Sequence, residues 1–241
     1  MISIAKTALS FACGIMLGGS AVAVYAAAEP TPPTNRAEIE AIVRAYILDH
    51  PEILPEAMKR LEQRQSASIV GTHRGAIEKP FANAWAGNPK GDVVLVEFYD
   101  YACGYCRQSV GDVDRLIAED KNLKVVFREL PVLGPNSEEA ARVSLAAAKG
   151  TNFMRFHRDL YKAGALSPEK IAATAAAAGV NEATAASAGD AMPEIESNVA
   201  LARALGLTGT PSFVVGDQVL QGAIGYDALK QAIADARAAR S

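Results

Sequence analysis

The sequence is poor in cysteine, histidine and net charge: its 241 residues include three Cys and three His and carry a formal charge of -3. With basic residues dispersed along the chain and a pI near 5.7, no electropositive surface for nucleic acid is expected. Three cysteines are too few for a structural disulfide framework, and His50, His73 and His157 are too scattered to complete a four-ligand zinc site. Methionine-rich and histidine-rich stretches are missing, which argues against copper carriage as the main role. Half of the residues are apolar, enough for one substantial core and a small appendage.

What is present is a strand that runs straight into a C-x-x-C pair. Residues 93–99, Val-Val-Leu-Val-Glu-Phe-Tyr, read as a strand covered on both faces, with Glu97 as the one interruption. A carboxylate in such a strand must be protonated, paired or functional, because an isolated buried charge is too costly. After the turn Asp100-Tyr101-Ala102, Cys103 falls where a helix with apolar Val110, Val113, Leu116 and Ile117 begins. A helix N-terminus favours thiolate over thiol, so Cys103 is the candidate nucleophile. Cys106, one turn on, is the candidate resolving thiol, the two forming a redox-active disulfide, and Glu97 a candidate acceptor of the Cys106 proton. A c-type haem would need His after the second cysteine, where Arg107 stands.

Glu97-Phe98-Tyr99-Asp100-Tyr101-Ala102-Cys103-Gly104-Tyr105-Cys106, taken with Gly209-Thr210-Pro211-Ser212-Phe213, resembles the thioredoxin-fold DsbA family of thiol-disulfide oxidoreductases over most of residues 80–240. Gly104-Tyr105 between the cysteines and Thr210 before Pro211 make it more similar to the ScsC-like and Com1-like members. The resemblance implies an α/β thioredoxin fold with an inserted helical domain and an N-terminal helical arm. It further implies that Pro211 is cis beside Cys103 and that Thr210, Pro211 and Tyr105 bind substrate, the Thr210 backbone pairing with an extended segment. No cofactor and no metal is expected.

The flanking sequence sets the domain boundaries. Residues 1–28 read as a secretory signal ending in Ala26-Ala27-Ala28, although residues 7–28 are long enough to act instead as a retained anchor. Cys13 lies inside that segment, which leaves Cys103 and Cys106 alone in the exported chain. Residues 29–65 form a helical arm: Asn35 and Glu38 make a capping box, and Ile39, Ile42, Val43, Tyr46 and Ile47 share a face. A second stripe is Ile53, Leu54, Met58 and Leu61. Such stripes pack either on the catalytic domain or on copies of themselves, and resemblance to ScsC-like proteins favours a homo-oligomer through residues 35–65. Residues 66–79 read as a linker, 80–136 and 207–241 as the catalytic domain, and 137–206 as the helical insertion. Residues 81–85 read as an edge strand, and 124–129 as a second strand parallel to the first.

These readings converge on a periplasmic oxidoreductase acting on cysteine-containing exported proteins and recycled by a membrane redox partner. Isomerase or reductase is the expected direction, because Tyr105 replaces the His of DsbA and should stabilise the Cys103 thiolate less. The alternatives are a dithiol oxidase that donates disulfides and a Cu(I)-binding envelope protein.

Overall fold

The computed structural model describes residues 35–180 and 191–240. The expected signal segment, residues 29–34 of the expected arm and residues 181–190 of the expected insertion lie outside the described residues. Among the described residues no helix is long and apolar enough to cross a membrane. The chain divides into two compact units after Pro51.

In the first unit, α1 (Arg36–Asp49) begins at Asn35, whose side chain accepts the Glu38 N–H at 2.9 Å. The His50 N–H closes the last turn on the Tyr46 carbonyl, and Pro51 prevents continuation. No residue of α1 is buried. Ile39, Ile42, Val43, Tyr46 and Leu48 are all exposed.

The second unit is built on a five-stranded sheet of order β1-β3-β2-β4-β5. Strands β2 (Val93–Tyr99) and β3 (Leu123–Glu129) are parallel and joined by α3 (Gly104–Glu119). β1 (Trp85–Gly87) pairs antiparallel with β3, and β4 (Ser212–Val215) pairs antiparallel with β2 and with β5 (Gln218–Gln221). The apolar runs of β2 and β3 are explained by cover on both faces. Leu95, Tyr99, Val125, Phe127, Phe213 and Val215 share one core with α3, α4 (Pro135–Lys149), α5 (Phe153–Lys162), α6 (Pro168–Ala177) and α8 (Tyr226–Ala238). On the other face, Val96, Phe98, Val126 and Val214 pack with α2 (Ile53–Glu78) and α7 (Met192–Ala204).

Two boundaries differ from the sequence reading. Residues 66–79, expected as a linker, are almost entirely the second half of α2. Small and polar residues such as Ser66, Ser68, Gly71 and Gly75 suggest a hinge, but Val70 and Ile77 are both buried against the sheet, and that burial overrides weak propensity. Arg128 then fixes the helix end. From within β3 its guanidinium donates to the carbonyls of Ile77 at 3.0 Å, Lys79 at 2.5 Å and Ala76, and also to Asn198 at 2.7 Å and Glu194 at 3.1 Å on α7.

The edge strand expected at residues 81–85 begins only at Trp85, because Ala82 takes a positive φ of 45° and breaks the extended run. The helical insertion at residues 137–206 reaches both faces of the sheet, with Ile195 of α7 packed on Ala141 and Leu145 of α4. Its helices α4, α5 and α6 share the core of the α3 face, whereas Leu201, Ala202 and Leu205 of α7 and its C-terminus cross to the α2 face.

Candidate active site

β2 delivers the chain to the site. Beyond Tyr99, the Asp100 carbonyl accepts the Cys103 N–H at 3.0 Å, forming a turn that brings Cys103 to the N-cap of α3. The Cys103 sulfur accepts the Cys106 N–H at 3.4 Å, satisfying one of the helix's unpaired donors. The same thiol donates to the Thr210 carbonyl at 3.2 Å. Cys103 keeps 6% of its surface exposed and Cys106 none. Both cysteines are free thiols.

The second loop of the site precedes β4. The Thr210–Pro211 peptide bond is cis, as the family resemblance implies. The loop is held by the Ser212 hydroxyl, which donates to the Gly209 carbonyl at 2.7 Å, and by the Gly222 N–H, which donates to the Pro211 carbonyl at 2.8 Å.

Glu97 stands in a cross-strand row with Phe127 on β3 and Phe213 on β4, residues of the core that holds both cysteines. Paired residues share a sheet face, so this carboxyl is enclosed by apolar neighbours. Burial, reinforced by the negative charges of Asp114 and Cys103, pushes it up to about 8. Burial also pushes the Cys106 thiol far above the ordinary cysteine range, and Glu97 adds to that shift. A negative charge on Glu97 therefore opposes ionisation of Cys106. Tyr105, two positions after Cys103, is by contrast 66% exposed.

The structure thus gathers Cys103, Cys106, Glu97, Thr210 and Pro211 around one end of β2 and leaves Tyr105 as an outward ring beside the nucleophile. Several neighbours escape a sequence reading. The Tyr99 hydroxyl donates to Glu129, while Tyr101 reaches Ser144 at 2.8 Å and His157 Nδ1 at 3.2 Å. The Tyr161 hydroxyl donates to the Asp100 carbonyl at 3.1 Å. Burial raises the Glu129 carboxyl well above the usual range and lowers His157 to about 3, so burial favours the neutral form of both members of this network. Arg107 donates to the carbonyls of Tyr161 at 3.1 Å and Gly164 at 2.7 Å, tying α3 to the end of α5. Tyr99, Asp100, Tyr101 and Arg107 lie within or beside the C-x-x-C motif of the sequence; nothing local marks Glu129 or Ser144.

Residues 94–234 match the DSBA-like thioredoxin domain. The chain belongs to that family. Residues 35–67 match a second family, the copper resistance protein ScsC N-terminal domain. A thioredoxin-like oxidoreductase from Silicibacter pomeroyi DSS-3 is 35% identical, with 67% of this chain and 95% of that one covered and a TM-score of 0.62. The thiol-disulfide exchange protein alpha-DsbA2 from Wolbachia pipientis is 26% identical, with 72% and 96% covered and a TM-score of 0.65. Among curated proteins, the Na(+)/H(+) antiporter NhaA 1 of Mycobacterium sp. (strain KMS) is 35% identical over 78 residues, 31% of this chain; the match spans 13% of that protein's length. The fold is accordingly the thioredoxin-like DsbA fold with an N-terminal helical arm. Its dithiol belongs to the thiol-disulfide oxidoreductase type.

Proposed function

We propose that the chain is a periplasmic thiol-disulfide oxidoreductase that acts on cysteines of exported proteins, chiefly as an isomerase or reductase. The observation that carries this reading is the Cys103 thiol at the N-cap of α3, bonded to the Thr210 carbonyl and partly open, with Cys106 sealed one turn behind it. The Cys103 thiolate attacks a substrate disulfide, forms a mixed disulfide and releases one substrate thiolate. Cys106 then attacks the Cys103 sulfur, which releases the second substrate thiol and leaves the pair oxidised and the substrate reduced. Glu97 in its ionised form takes the Cys106 proton during that step, and a carboxyl raised to about 8 is a stronger proton acceptor than an ordinary carboxylate. In isomerisation a substrate thiol resolves the mixed disulfide instead, so no electrons are gained or lost.

A membrane partner that recycles the pair completes the reductase cycle. Residues 1–28 support export, and the similarity of residues 35–67 to the ScsC N-terminal domain supports assembly into an oligomer through the exposed stripe of α1. Thr210, Pro211 and Tyr105 are the substrate-binding residues on this reading. The copper named in that family's description favours a second one, Cu(I) held by the reduced pair.

A scrambled-disulfide refolding assay, run beside Cu(I) titration of the reduced protein, separates them. The isomerase reading expects recovery of native substrate that is lost in Cys103→Ser. Stoichiometric Cu(I) binding without any recovery would replace it by the copper reading.

A further inference from the structure

Asp100 connects two loops that leave the carboxyl ends of the parallel strands, the place where ligands meet such sheets. Its backbone carbonyl takes the Cys103 N–H at 3.0 Å. Its buried carboxylate divides its two oxygens: Oδ1 accepts the Ala102 N–H at 2.7 Å in the active-site turn, while Oδ2 accepts the N–H groups of Val132 at 2.8 Å and Leu133 at 3.0 Å in the loop after β3. That loop is also fastened by the Leu130 N–H to the Tyr99 carbonyl at 2.8 Å. The held residues are apolar, yet Val132 is 54% and Leu133 55% exposed. A polypeptide joined to Cys103 through a mixed disulfide advances at most about 3.5 Å per residue on either side of its cysteine, so its flanking side chains lie over this neighbourhood.

We propose that Asp100 is a positioning residue whose carboxylate holds Val132 and Leu133 beside Cys103 as an apolar lip, and that this lip accepts an apolar side chain flanking the cysteine of a substrate polypeptide. The inference rests on the oxidoreductase reading above and adds a preference to it. Two oxygens are required, one for each loop. An amide at this position keeps one acceptor and turns its NH2 toward N–H groups, so Asp100→Asn holds the turn or the lip but not both.

The test uses the full chain and two disulfide-linked peptides of equal charge, one with Leu and Phe flanking the cysteine and one with Ser at both places. Wild type should react with the apolar peptide at a kcat/KM about five- to tenfold higher, carried by KM, the gain from one partly buried apolar contact. Asp100→Ala, which withdraws both acceptors and so leaves the lip unheld, should bring the ratio close to unity with the change in KM. The double variant Val132→Ser/Leu133→Ser, altered only at exposed side chains, should do the same and covers the case in which Asp100→Ala does not fold. A wild type that reacts with both peptides equally, or a double variant that keeps the preference, would overturn the inference alone. A wild type inert toward both peptides would overturn the oxidoreductase reading and the inference with it.

Discussion

The Cys103 thiol donates to the carbonyl of Thr210 at 3.2 Å across 107 residues of sequence. This bond joins the two motifs of the site; Cys103 keeps a small exposed surface, while Cys106 has none. Reactivity should follow access and ionisation, both of which disfavour Cys106. Iodoacetamide added to the reduced protein at mildly acidic pH should therefore label Cys103 at least about tenfold faster than Cys106. Equal labelling, read by peptide mass, would contradict the assignment of nucleophile and resolving thiol.

Glu97 gives the protein a pH dependence of definite sign. In the folded dithiol form its carboxyl titrates near 8, against an ordinary value of 4.5. The unfolded chain loses this proton first, so the folded state loses stability as pH rises from about 4.5 to about 8 and loses no more above that. Glu97→Gln lacks the effect. Its stability relative to wild type should grow through the same window, to on the order of 5 kcal/mol at most. The variant should also resolve the mixed disulfide more slowly at neutral pH, since an amide cannot take the Cys106 proton. A stability difference that stays flat across the window, measured by urea unfolding, would remove the buried carboxyl from the account.

Arg128 provides a separate test of how α2 is held. Arg128→Met keeps much of the side-chain volume but withdraws the donors that satisfy the Ala76, Ile77 and Lys79 carbonyls, Glu194 and Asn198. Removing one side of a buried charged network should cost about 3 kcal/mol. Urea unfolding that shows a loss below about 1 kcal/mol would mean that the packing of Val70 and Ile77 holds the helix without it.

How much was legible in the sequence divides along physical lines. The strand over residues 93–99, the helix that begins after Cys103 and the Asn35 cap of α1 rest on local signals, namely continuous apolarity, helical spacing and a side-chain acceptor, and the structure has all three. The thioredoxin-like fold with its arm likewise agrees. The helical state of residues 66–78 was not legible, because Ser, Gly and Thr there say hinge and only the sheet beneath Val70 and Ile77 says otherwise. Nor was the crossing of α7, whose destination depends on Arg128 sixty-odd residues upstream of it. At the site, Asp100 sits inside the motif, but its bonds to Val132 and Leu133 are long-range and carry no pattern.

The arm makes a prediction about assembly. Ile42, Val43 and Tyr46 expose an apolar stripe on α1, and on the proposed reading another copy of the chain covers it. Light scattering should find the full chain oligomeric and Ile42→Glu/Val43→Glu monomeric, with shuffling of scrambled disulfides reduced by at least about tenfold in the monomer, consistent with two sites acting on one substrate. A monomeric wild type would contradict the assembly. A monomeric variant that still isomerises would break its link to function.

The account's central claim is that Cys103 and Cys106 are a reversible redox pair, and equilibration in a graded series of glutathione buffers with counting of free thiols tests it most directly. The account predicts one two-electron transition in which both thiols disappear together, at a potential between roughly -120 and -270 mV and on the more reducing side of the strongest oxidants of this type. Two thiols that persist through the most oxidising buffer, or that vanish singly as mixed disulfides with glutathione, would contradict it.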